Sequence, residues 1–148
     1  MKFFTRAWHS GEMTDVRAEQ VREEYQQHLE VLNLPASIAS LARNNVHDAH
    51  VRNVRQNPDH TTISLCLRCG DLQRGYSDIT IVFKAATVDG DSFNTLQSAS
   101  QSASVEVLYD EIDRAGGGFE YRLLLYPDGE ANLKFMDVEI VERPVGHR

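Results

Sequence analysis

Cysteine is scarce in this chain: two residues in 148 cannot build a disulfide framework, so a reducing compartment is the expected setting. Long apolar runs are missing as well. No stretch approaches the roughly 20 residues needed to cross a bilayer. The opening Met1-Lys2-Phe3-Phe4-Thr5-Arg6 turns to charge before a signal-peptide core can form. A cytoplasmic chain with no membrane attachment is therefore expected. Basic charge is in deficit, with 15 Lys+Arg against 22 Asp+Glu and a net charge of -7. That balance argues against nucleic acid as a partner, because phosphate binding needs a basic face to displace counterions. There is also no glycine-rich phosphate loop. Gly116-Gly117-Gly118 joins two apolar stretches and lacks the lysine and helix that would follow in such a loop.

What is present suits a folded chain. Hydrophobic residues make up 41% and charged residues 25%, enough to bury one core in a single domain, 1–148. Phe3, Phe4 and Trp8 stand in a polar amino-terminal stretch and are expected to pin it to the core as an edge strand or extended arm. Thr14 or Asp15 starts a helix, in which Val21, Tyr25, Leu29 and Leu32 recur at steps of four, four and three along one face. Pro35 ends it, because the residue before a proline avoids helical geometry. A second helix spans about Ala36 to Arg43, with Ile38 and Leu41 as its buried pair.

Residues 46–142 read as consecutive strands separated by turn signals. In the clearest, Ile63, Leu65, Leu67 and Cys69 alternate with Thr62, Ser64, Cys66 and Arg68. The Ser- and Gln-rich stretch from Ser92 to Ser104 reads as a surface loop, or a short helix around Phe93 to Leu96. Strands over 105–113 and 119–126 form a hairpin. Setting Asp113 opposite Phe119 places Val107 on Leu125, Tyr109 on Leu123 and Asp110 on Arg122. After a three-residue turn with Gly129 at positive φ, a last strand over 131–142 sets Leu133 on Leu125, with a bulge near Met136-Asp137. The expected fold is α+β: an amino-terminal helical hairpin packed on an antiparallel β-meander of about five or six strands.

Candidate chemistry is sparse. Cys66-Leu67-Arg68-Cys69 is a C-x-x-C, but alternation in a strand sends its sulfurs to opposite faces, against a redox role. With His47 and His50 these cysteines make a weak set of four metal ligands whose spacing fits no common zinc site. His47 beside Asp48 has the composition of a base and its orienter, which a turn would have to bring into contact. The plainer reading is that Asp48 or Asn45 caps an element boundary. Glu111 shares the apolar face of its strand. No metal, cofactor or catalytic residue is expected, and an enzyme is the less favoured class.

Met1-Lys2-Phe3-Phe4-Thr5-Arg6 with Trp8, then His47-Asp48-Ala49, then Tyr109-Asp110-Glu111-Ile112, resembles a bacterial domain family of unknown function. Its chains open Met-Lys-Tyr/Phe-Phe-Thr-Lys followed by a Trp. The likeness lies in the amino terminus and the sheet; the helical middle is unmatched. It implies a bacterial cytoplasmic protein and supplies no catalytic residues. The small acidic meander also looks like some immunity proteins of bacterial toxin systems. The leading expectation is a non-catalytic module for a basic protein partner, with Asp110, Asp113 and Glu120 on the binding face. The alternative is a small-molecule-binding or metal-dependent enzymatic domain with a site near His47, Asp48 and Glu111.

Overall fold

The computed structural model describes residues 1–73 and 75–146. A single helical turn, α1 (Arg6–His9), is followed by α2 (Asp15–Leu32) and α3 (Ala36–Arg43). The Thr14 hydroxyl caps α2 by accepting from the Arg17 amide, and Val21, Tyr25 and Leu32 form its buried face. Asn33 ends the helix in left-handed geometry at φ 46°. In α3, Ile38 and Leu41 are fully buried.

The sheet is antiparallel throughout and has eight strands: β1 (Ala49–Gln56), β2 (Thr62–Asp71), β3 (Gly75–Lys84), β4 (Thr87–Val88), β5 (Glu106–Ala115), β6 (Gly118–Tyr126), β7 (Glu130–Phe135) and β8 (Asp137–Val145). Their order is β4-β7-β6-β5-β1-β2-β3-β8. The excess over the expected five or six comes from breaks in two long strands. Ala85, at φ 47°, bends the chain between β3 and β4. Met136 separates β7 from β8 and donates its amide to the Lys84 carbonyl at 3.0 Å. Lys84 pairs with Asp137 on one side of this corner, and Thr87 with Lys134 on the other. The two ends of the order thus belong to the same pair of bent strands, and the sheet closes on itself. A meander is the wrong description, because β5 lies beside β1 and β8 beside β3, so neighbours in the sheet are not all neighbours in sequence.

Nor are the helices all amino-terminal. The Ser- and Gln-rich stretch forms α4 (Gly90–Ser100), capped by the Asp89 carboxylate on the Ser92 amide at 2.7 Å. Its Leu96 and Ala99 join α3 in closing a core filled by Ile63, Leu65, Leu67, Ile81, Leu123 and Leu133. Phe83 sits at the centre, its ring 5.7 Å from Tyr121 and 5.0 Å from Phe135.

The β5–β6 register also differs from expectation. Gly116 and Gly117, both at positive φ, make a two-residue loop that pairs Ala115 with Gly118 and Asp113 with Glu120. A bulge between Val107 and Tyr109 then restores Val107 to Leu125, while Tyr109 meets Leu124 and Asp110 meets Leu123. Leu133 pairs with Tyr121 rather than with Leu125.

A second, smaller layer lies outside the barrel, where α2 and the amino-terminal arm cover β5. Its anchor is Glu111, fully buried, whose Oε1 accepts from the Phe3 and Phe4 amides at 2.6 Å each. Oε2 accepts from the Lys2 amide at 2.8 Å and lies 3.2 Å from Arg122 Nε. Such a buried carboxylate is tolerable only because donors surround it. Replacing it by Gln turns one acceptor into a donor facing those amides. Glu111→Gln should cost about 2–3 kcal/mol in denaturant unfolding. Hydrogen exchange at Phe3 and Phe4 should speed up, and unchanged protection there would contradict the anchoring role.

Candidate functional site

Strand β5 runs well past the start of β1. Only two residue pairs join them, Ala49 with Val107 and His50 with Glu106. From Leu108 onward the edge of β5 is met by other groups. The Tyr25 hydroxyl of α2 accepts from the Ile112 amide at 2.9 Å, and the Leu108 carbonyl accepts from His47 Nδ1 at 2.6 Å. Helix and loop cannot follow a strand edge closely, and a cavity of about 310 Å³ remains. It is lined by Phe4, Tyr25, Gln26, Ala42, Asn45, His47, Leu108, Tyr109 and Asp110.

Each wall has a local cause. Asp48 takes φ 61°, so residues 47–48 form a turn and not a strand. The Asn45 side chain accepts from the His47 amide at 3.1 Å and sets that turn. The imidazole stacks on Tyr109, with centroids 5.0 Å apart and planes 16° from parallel. Because a carbonyl can only accept, Nδ1 carries the ring hydrogen, and Nε2 is the basic atom. The turn brings Nε2 to 3.6 Å from Asp48 Oδ1. Trp8 meets Tyr109 edge-on at 4.7 Å and donates its indole N–H to the Ala18 carbonyl at 3.2 Å. Phe4 contacts both Tyr25 and Tyr109, at 5.0 and 5.4 Å.

Asp110 is the group sequence reasoning placed elsewhere. The bulge before Tyr109 puts it opposite Leu123, on the barrel-facing side, and not opposite Arg122 on the outer side. Burial pushes its carboxyl up to about 7. The Tyr121 hydroxyl opposes this in part, although it falls outside hydrogen-bond geometry. Burial likewise raises Tyr25 and Tyr121, and takes the Cys69 thiol up to about 12. All three neighbours of Asp110 therefore stay neutral at ordinary pH.

The other expected site residues divide sharply. His47 and Asp48 touch each other at the cavity mouth, whereas Glu111 is sealed under the amino-terminal arm. Asp113 and Glu120 do not make a free acidic face. Arg122 reaches both at 3.2 Å, His28 and Lys2 also hold Asp113, and Asn132 donates to Glu120. His50 is engaged by the Val105 carbonyl at 3.1 Å and by Glu106 at 3.2 Å. Cys66 and Cys69 are free thiols, Cys69 in the core. Among the described residues, no group of three His, Cys, Asp or Glu side chains is placed to hold a metal ion.

Residues 2–133 match the family described as protein of unknown function (DUF4085). The chain belongs to that family. The match runs through α2 and α3 as well as the arm and sheet, so the helical middle is part of the family pattern. A comparison with curated proteins finds no match. No helix among the described residues is long and apolar enough to cross a membrane.

Two measurements check this DUF4085 site. Long-range proton–nitrogen spectra should show neutral His47 as the Nδ1–H tautomer, and the opposite tautomer would remove the Leu108 anchor. The second concerns pH. Asp110 sits near 7 when folded against an ordinary 3.8, so the folded state holds its proton more tightly. The stability this gives is complete below about pH 4 and is lost as pH rises through 7, at up to about 1.4 kcal/mol per pH unit. Asp110→Asn should flatten the stability curve between pH 5 and 8 relative to the unsubstituted chain. Parallel curves would contradict it.

Proposed function

We propose that this chain is a small-molecule-binding domain whose site is the cavity between α2 and the edge of β5. The observation that carries this reading is Asp110: a carboxyl borders an aromatic-walled cavity and has no basic partner there among the described residues. An unpaired, partly desolvated carboxyl is costly to stability, and such groups gather where a ligand completes them. His47 adds a second polar atom of defined tautomer, and about 310 Å³ suits a small ligand. A cytoplasmic setting belongs to the same proposal and is supported by the two free thiols.

A larger cavity of about 540 Å³ lies between His50, Arg52, Arg68, Glu106 and the end of α4. Two of its charged groups are already engaged: Arg68 grips Asp78 at 2.5 and 3.0 Å, and His50 lies against Glu106. A basic protein partner rests on the net charge of -7 alone, since Arg122 already engages Asp113 and Glu120.

A fragment screen by NMR tests the reading. Bound fragments should shift the resonances of His47, Tyr109 and Asp110, and His47→Ala should weaken them several-fold. Fragments that gather only around Arg52 and Arg68 would overturn it.

A further inference from the structure

Resting on that reading, we propose that the cavity takes a compact organic cation, an ammonium or amidinium group on a small carbon frame, with Asp110 as counter-ion and Phe4, Tyr25 and Tyr109 as its walls. The sign follows from the lining. Its one carboxyl is Asp110, no lysine or arginine lines it among the described residues, and Asp48 adds a second carboxylate beside His47 at the mouth. An anionic ligand would meet the Asp110 carboxyl, with no lysine or arginine on the lining to offset it among the described residues.

The rings point the same way. Phe4 stands nearly perpendicular to Tyr25, at 77°, and is tilted 32° from Tyr109, and all three line the cavity. Ring faces are electron-rich and attract a cation held within about 6 Å of their centroids, most strongly where water is excluded. A carboxylate for the charge and rings for the surrounding shell is the combination that distinguishes an organic cation from a metal ion, which needs several oxygen or nitrogen ligands. The volume sets the size: about 310 Å³ accommodates roughly ten water-sized groups. The net charge of -7 draws cations toward the molecule as a whole.

A cation must meet an ionised Asp110, which gives the proposal a signature. The groups facing that carboxyl are Tyr121 of β6, Tyr25 of α2, Cys69 of β2 and Glu111 on its own strand. The tyrosines and the thiol stay neutral between pH 6 and 8, and Glu111 is held by Arg122 and three amides. His47 lines the same cavity, and the variant His47→Gln separates its contribution.

The probes are benzamidinium, benzamide and benzoate, which share shape and differ in charge. Each is titrated into the full chain at pH 6 and pH 8, at fixed ionic strength, with amide shifts at His47 and Tyr109 as readout. Benzamidinium should bind at least tenfold more tightly than benzamide, and benzoate should not bind. With the carboxyl near 7, benzamidinium affinity should rise about tenfold from pH 6 to pH 8, in the unsubstituted chain and in His47→Gln alike. Asp110→Asn should erase both the preference and the pH dependence. Benzamide or benzoate binding as well as benzamidinium would overturn the cation while leaving the cavity as a site. No shift at His47 or Tyr109 with any probe would also overturn it, and the fragment screen then decides whether the site falls too. If Asp110→Asn does not fold, the three-probe comparison and the pH dependence of the unsubstituted chain still decide.

Discussion

The structure depends on an unequal pairing. Strand β5 is bonded to β6 along its whole length but to β1 at only two positions. Backbone amides and carbonyls left without partners at a buried edge cost as much as lost hydrogen bonds, so the remaining edge has to be met by something other than a strand. Tyr25 meets the Ile112 amide, His47 meets the Leu108 carbonyl, and the amino-terminal arm lies over the outer face, anchored on Glu111. Each substitute is a side chain or a loop, and none packs as tightly as a strand would. The cavity is the space left by that substitution. The site is thus a consequence of how the barrel closes, and not an addition to it.

The same geometry sorts the acidic residues of β5. Tyr109, Glu111 and Asp113 face the outer layer, where Arg122 and the arm neutralise the two carboxylates. Asp110 faces inward, toward hydroxyls, a thiol and aromatic carbon. Four consecutive residues therefore hold two carboxylates that are fully engaged as structural anchors and one that is not. A single inserted residue, the bulge at Leu108, makes the difference, because shifting a strand by one position exchanges its two faces.

Much of the fold was legible where the signal is local. The spacing of Val21, Tyr25 and Leu32 marks α2, Ile38 and Leu41 mark α3, and the alternation from Ile63 to Cys69 marks β2. The helix α4 was not, because its buried face is Ser92, Leu96 and Ala99, and two small residues leave the apolar period faint. The sequence offered it only as an alternative to a loop, a short helix around Phe93 to Leu96. Closure of the sheet was also out of reach, since the pairing of β3 with β8 joins segments some 60 residues apart without any local mark. At the site, the sequence offered His47 and Asp48 as a pair only if a turn joined them, with an element-boundary cap as the plainer reading; Asp48 at φ 61° supplies the turn. Glu111 carried no sign of its partners, because they are backbone amides, which every residue has. Asp110 was assigned to the wrong side of its strand for want of the bulge.

The measurement that bears most directly on this account is the titration of the Asp110 side-chain carboxyl, followed through its 13Cγ shift. The account predicts a midpoint near 7 in the empty protein, set by burial beside Tyr25 and Tyr121, and a downward move when benzamidinium is present. A midpoint in the ordinary aspartate range near 4, unmoved by the cation, would show a solvated carboxyl and contradict it.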